Sequence, residues 1–148
     1  MLTQSDFSNV IQNTPLISID LIIQNSEQKI LLGKRVNEPA KDAWFVPGGR
    51  IFKDESLDDA FLRITKSEIG IALQRNDVAF YGLYEHFYSK NVFNDDFSTH
   101  YIVLAHKFQV NERVVILNDQ HTAYAWFDKD TLVADKDVHQ YSKNYFLK

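Results

Sequence analysis

The chain predicts an α/β (α+β) domain, and three observations carry that prediction. Its 148 residues with 45% apolar types suffice for one sizeable core. Several β-branched and aromatic runs, over 16–23, 30–32, 78–88 and 100–110, read as strands. Among them lies one strongly amphipathic helical segment, Ser56 to Ile69, with a start and a stop signal.

Taken in order, Ser5 to Asn13 reads as a short capped helix with Phe7, Val10 and Ile11 on one side, ending before Pro15. Leu16 to Ile23 and Ile30 to Leu32 form a hairpin through Asn25-Ser26-Glu27-Gln28. Trp44 to Val46 is a short strand ended by Pro47-Gly48-Gly49. Val78 to Tyr88 and His100 to Val110 are long strands flanking a polar loop, Tyr124 to Phe127 is another short strand, and Asp137 to Leu147 is a closing helix. No repeat or Pro/Gly/Ser-rich linker divides residues 1–148, so a single domain is expected.

Composition narrows the function. Lys and Arg total 16 against 20 Asp and Glu, a formal charge of -4, so the cationic surplus that a nucleic acid polymer selects is missing. The absence of cysteine removes thiolate metal sites, disulfides and cysteine nucleophiles and leaves oxygen and imidazole as metal ligands. No apolar run approaches membrane-spanning length, since Asp20 interrupts the most apolar early segment, and no secretory signal opens the chain. A cytoplasmic protein without a membrane partner is the expectation.

The segment from Ser56 to Ile69 is the informative one. Ser56 followed by Asp59 resembles a capping box, and Gly70 suits a left-handed helix end. At 100° per residue, Leu57, Ala60, Phe61, Ile64 and Ile71 share a face that should be buried, and Glu68 falls in its middle. A carboxylate there needs an ion pair, hydrogen bonds, a cation or a helix end turned to solvent. On geometry, metal ligation and a satisfied structural role both stay open.

Immediately before this helix stands Pro47-Gly48-Gly49-Arg50, and the spacing runs Gly49, five residues, Glu55, seven residues, Arg63, then Ile64 through Ile71. This resembles the Nudix box, G-x5-E-x7-R-E-U-x-E-E-x-G-U, over residues 49–71, with Ile64 and Ser67 where the pattern has glutamate. Those two departures, together with Tyr84-Glu85-His86-Phe87-Tyr88, Thr99-His100-Tyr101 and Asp119-Gln120-His121, resemble the GDP-mannose mannosyl hydrolase branch of the Nudix family. Thr14-Pro15-Leu16 and Tyr145-Phe146-Leu147 extend the likeness across almost the whole chain. The resemblance implies a Nudix fold, a mixed β-sheet sandwiched between α-helices, and a homodimer.

It also implies a site. One Mg2+ per active site, replaceable by Mn2+, would be held by the Gly48 carbonyl, Glu68 and the side-chain carbonyl of Gln120, with His121 as general base. Magnesium keeps water and phosphate oxygens among its ligands, so few protein oxygens suffice. Arg50 and Arg35 are candidates for the diphosphate because guanidinium presents a fork matched to phosphate oxygens. Tyr101 adds a hydrogen bond there. Glu55 and Arg63 commonly hold the loop against the helix in this pattern, and phosphate binding by Arg63 is the alternative. His86, between Tyr84 and Tyr88 on one strand face, either contacts the substrate or is packed. Asp20, mid-strand among apolar neighbours, is expected to orient the sugar or the base, its alternative being a solvent-facing strand residue. His100, His106 and His139 are read as lying outside the site, and Asp95 and Asp96 as solvated loop carboxylates.

With two box glutamates missing, less negative charge remains to gather several cations, so a single metal and a protein base follow. The expected reaction is hydrolysis of GDP-mannose, and of GDP-glucose, to GDP and free sugar, with water attacking the anomeric carbon with inversion. The alternatives are a Nudix pyrophosphatase that cleaves a nucleoside diphosphate sugar at phosphorus, giving NMP and sugar 1-phosphate, and a non-catalytic nucleotide-binding domain.

Overall fold

The structure is a computed structural model that describes residues 2–93, 96–111, 113, 115 and 121–147, without the side chains of 121 and 122. The elements are α1 (Gln4–Asn13), β1 (Leu16–Gln24), β2 (Ile30–Arg35), β3 (Trp44–Phe45), β4 (Gly48–Arg50), α2 (Leu57–Ile69), β5 (Ala79–Tyr88), β6 (Thr99–Gln109), β7 (His121–Phe127), α3 (Lys129–Ala134) and α4 (Gln140–Lys143). Among the described residues, seven strands join in one mixed sheet with the path β3-β2-β1-β6-β5, β4 pairing with β1 and β7 with β2. Among the described strands only β1 and β6 run parallel, in register from Leu16 opposite Tyr101 to Gln24 opposite Gln109.

Strand alternation assigns the two faces of the sheet. Ile19, Leu21 and Ile23 of β1 turn to one side and pack with Ala60, Phe61, Ile64 and Ile69 of α2. Ile22 turns to the other and meets Ile30, Leu32, Leu132, Val138 and Tyr145. Helix thus covers one face and the C-terminal segment covers the other, the sandwich expected. Full burial of Phe61 or Ile64 stabilises by about 1.5–3 kcal/mol each.

Helix α2 begins and ends as its sequence dictates. The Ser56 hydroxyl accepts the Asp59 amide at 3.0 Å, and Gly70 closes the helix at φ 75°, where a side chain is strained. Leu57, expected in the buried face, is exposed, because it lies in the first turn before the helix meets the sheet. In its stead Thr65 is buried, its hydroxyl donating to the Phe61 carbonyl at 2.8 Å.

Further expectations change. The hairpin of β1 and β2 is paired only near its turn, at Gln24 opposite Ile30, and opens beyond it. Into that opening β4 inserts against β1, with Ile19 opposite Gly49 and Asp20 opposite Gly48, so the Gly-Gly segment is strand rather than loop. A Cβ at Gly48 would lie 2.3 Å from the Ile19 carbonyl oxygen, so the approach is open to glycine alone. The closing helix of 137–147 shrinks to the single turn α4. Val138 bridges Trp44, the Asp137 carbonyl accepts the Trp44 amide at 2.9 Å and the Trp44 carbonyl accepts the His139 amide at 3.0 Å, which commits 137–139 to extended backbone. Finally, α3 is a helix where none was expected, and β7 starts three residues earlier than the strand read from 124. No helix among the described residues is long and apolar enough to cross a membrane.

Candidate active site

The site is a cleft of about 200 Å³ at the end of the sheet where β4 enters, with Asp20, Arg35, Gly48, Arg50, Glu68 and Tyr101 among its walls. The strands explain why these residues meet. Asp20 and Gly48 are ladder partners on β1 and β4, while Arg35 ends β2 and Arg50 ends β4. Tyr101 lies on β6 opposite Leu16 of β1, and Glu68 comes up from the last turn of α2.

Glu68 is 3% exposed, and its Oε1 accepts the Gly48 amide at 3.2 Å. The helix end has therefore not turned out to solvent. One turn earlier, at a position where the box has glutamate, Ile64 is fully buried and packs against Gly49, whose added Cβ would lie 3.0 Å from the isoleucine side chain. Apolar volume takes the place of a carboxylate. Ser67, at the other departure, is exposed.

Asp20 does not face solvent. Its Oδ2 accepts a hydrogen bond of 2.5 Å from the Tyr145 hydroxyl. Burial pushes the Asp20 carboxyl up to about 7, against the opposing pull of Tyr145 and the Arg35 charge and with the Glu68 charge adding to the rise. Arg35 donates from Nε to the Pro39 carbonyl at 3.0 Å and lies 5.6 Å from the Phe45 ring centroid. Burial raises the Tyr101 hydroxyl above its ordinary range, with Arg35 and Arg50 opposing. The hydroxyl stays protonated and able to donate.

Gly48 and Glu68 are thus brought together at the cleft through the Gly48 amide, whereas Gln120 lies outside the described residues. Among the described residues no three His, Asp or Glu side chains cluster as a complete metal cage. The Gly48 backbone and a buried carboxylate beside a second acid, Asp20, are oxygen groups that fit a hard divalent cation taking most of its ligands from elsewhere. The His121 side chain also falls outside the described residues. Its backbone opens β7 opposite Arg35, across a register shift after Lys34 that sets His121 rather than Thr122 in that place.

Arg63 does not line the cleft. Its Nε donates to Glu55 Oε2 at 2.7 Å, and Nη2 donates to Glu55 Oε1 at 2.9 Å and to the Arg50 carbonyl at 2.7 Å. The Glu55 carboxyl is held below its ordinary range chiefly by this contact, and its Oε1 also accepts the Phe52 amide at 3.0 Å. The pair ties the loop before α2 to the helix, which is the first of the two roles expected of Arg63.

His86 lines the cleft but is 5% exposed and stacks flat on Tyr141 with ring centroids 4.2 Å apart. Burial brings its imidazole down to about 4, with His139 adding to the fall. Since a histidine titrates near 6.5 in the unfolded chain, the unfolded state binds the extra proton first as pH falls from about 6.5 to about 4. Stability should drop in that window by an amount on the order of 2–3 kcal/mol. Urea midpoints of wild type and His86→Phe at pH 7 and pH 4.5 check this, the variant being expected to lose less on acidification. His100 stacks on Phe87, and His106 lies between Phe61 and Phe80, both away from the cleft. His139 accepts the Tyr141 amide as the cap of α4 and stacks on Phe45.

Sequence reasoning missed Tyr145 and Tyr88. Tyr88 lines the cleft next to His86, and the pattern of alternate residues on β5 could have found it. Tyr145 is 125 positions from Asp20, and no local signal links them.

The NUDIX domain model matches residues 14–147. The chain belongs to the NUDIX family. A curated relative, the low-salt glycan biosynthesis protein Agl8 of Haloferax volcanii, is 33% identical over 144 residues, covering 97% of this chain and 88% of that protein. The MutT protein of Methanosarcina mazei superposes with a TM-score of 0.71 at 22% identity, over 90% of this chain and 92% of that one. A MutT NUDIX hydrolase of Burkholderia pseudomallei gives 0.71 at 21% identity, over 90% and 97%. These two likenesses show the fold that the family match implies.

Proposed function

We propose that this NUDIX hydrolase converts GDP-mannose, and GDP-glucose, to GDP and free sugar by attack of water at the anomeric carbon. The carrying observation is the exchange of charge along α2: Ile64 is buried apolar volume, Glu68 brings a carboxylate to the cleft, and Arg35 and Arg50 face the same space. Such a site is built to receive negative charge on a departing diphosphate more than to gather several cations. The glycan biosynthesis named for the Agl8 relative accords with a sugar nucleotide as substrate.

In this reading His121 takes a proton from water as the water oxygen bonds to C1 of the sugar. The C1–O bond to the β-phosphate breaks on the opposite face, and GDP leaves with the electron pair. Arg35 and Arg50 donate to the diphosphate oxygens, and the Tyr101 hydroxyl, kept protonated, adds a further donor. Asp20, fixed by Tyr145, orients the sugar. Mg2+ or Mn2+ would be held by the Gly48 carbonyl, Glu68 and Gln120 and would supply positive charge to the leaving group.

Incubation with GDP-mannose and magnesium in labelled water tests the proposal. GDP as the nucleotide product, with the label on mannose, is expected. GMP, or label on phosphate, would replace it with cleavage at phosphorus, and no turnover would favour a binding domain.

A further inference from the structure

Helix α1 lies before residue 14, where the NUDIX match begins, yet it touches Arg50, a residue of the cleft wall. The Phe7 ring carries the Arg50 guanidinium 4.4 Å from its centroid, and the Phe52 ring lies 4.9 Å from the same group. Phe52 in turn carries Arg63 at 3.9 Å, and Phe93 meets Phe7 edge to face at 5.9 Å. A run of rings and guanidinium groups therefore links α1, β4 and α2.

The two arginines in that run differ in their partners. Arg63 is paired with Glu55, whereas Arg50 forms no ion pair among the described residues. A carboxylate would fix Arg50 by occupying its in-plane N–H fork, the same donors an anionic oxygen needs. An aromatic ring attracts the guanidinium through its face and leaves the fork open.

From this geometry we infer that Phe7 is a positioning residue for anion binding: from outside the matched NUDIX region it holds Arg50 in the cleft with its donors free for the diphosphate of the substrate. The inference rests on the reading that Arg50 binds that diphosphate. Phe52 alone would hold the guanidinium less firmly, because it also serves Arg63. Helix α1 has a separate anchor in Ile11, which is 5% exposed, so a change at Phe7 leaves the helix docked.

The test is calorimetric binding of GDP, with magnesium present, to wild type, Phe7→Leu, Phe7→Tyr, Arg50→Ala and the Phe7→Leu/Arg50→Ala double variant. Phe7→Leu should weaken GDP binding roughly three- to tenfold, as loss of a partly desolvated cation–π contact implies, while Phe7→Tyr retains wild-type affinity. In the Arg50→Ala background Phe7→Leu should change affinity by less than about twofold, since the group it acts on is gone. With GDP-mannose as substrate, Phe7→Leu should raise the KM, whereas a loss of folded protein would lower only the apparent kcat and leave the KM unchanged. Unchanged GDP affinity in Phe7→Leu alongside weakened binding in Arg50→Ala would overturn the role of Phe7 and leave that of Arg50 standing. Full affinity in Arg50→Ala would overturn the reading of Arg50 itself. An equal effect of Phe7→Leu with and without Arg50 would show that the ring acts on something else.

Discussion

Replacing Glu68 with glutamine is expected to lower the proposed hydrolysis of GDP-mannose on the order of 10²–10³-fold and to remove the rise in Tm that the proposed Mg2+ site should give the wild-type protein. The rate figure follows from losing several kcal/mol of charge stabilisation at the leaving group. The thermal effect follows from linkage, because a cation that binds only the folded state stabilises by RT ln(1 + [Mg2+]/Kd). Without magnesium the variant should be at least as stable as wild type. Glutamine keeps an oxygen that can accept the Gly48 amide, and the change removes a charge from a position 3% exposed and from beside Asp20, whose carboxyl it helps to raise. Differential scanning calorimetry with EDTA and with Mg2+, beside steady-state rates, reads both effects. A variant that keeps its magnesium shift, or one that loses it and keeps its rate, would remove Glu68 from the proposed role.

The placement of Glu68 was largely legible in the sequence, and the reason is local. The hydroxyl cap at Ser56, the αL end at Gly70 and the apolar stripe between them all lie within fifteen residues, so spacing alone fixes which side of α2 faces the sheet and that Glu68 sits on it. The same holds for Arg63 and Glu55, eight residues apart on the loop and helix they join. What the sequence hides are consequences of distant pairing. Gly48-Gly49 reads as a loop because glycine is poor in strands, yet the close approach to β1 at Ile19 and Asp20 is what requires it. Residues 137–139 read as helix until Trp44 claims their backbone groups. Tyr145 carries no mark of the hydrogen bond it gives to Asp20.

The arginines show the same division between what is near and what is far. Arg35 and Arg50 could be picked as phosphate ligands by residue type, and the cleft brings them together with Tyr101. That Arg50 lies against a ring from α1 could not be read from spacing, because Phe7 and Arg50 belong to elements separated by the first three strands. The contact brings the N-terminal helix against a guanidinium of the cleft wall.

Replacing His121 with glutamine is expected to lower turnover by 10²–10⁴-fold, the range of a general base, while leaving the Mg2+-induced rise in Tm within about a degree of wild type. The contrast with Glu68→Gln separates proton transfer from cation binding. It also bears on which histidine acts. His86 lies in the cleft, but burial brings its imidazole to about 4, so it stays neutral across the neutral range and cannot give rise to an acid limb there. His139 is pushed down by burial as well, and its Nδ1 is occupied by the Tyr141 amide. If His121 is the base, the fall in kcat/KM below neutral pH should persist unchanged in His86→Gln and shrink in His121→Gln to the part that protonation of Asp20, whose carboxyl is itself pushed up to about 7, contributes. The base and the leaving-group ligand would then be coupled through the backbone, since His121 stands opposite Arg35 where β7 shifts register against β2.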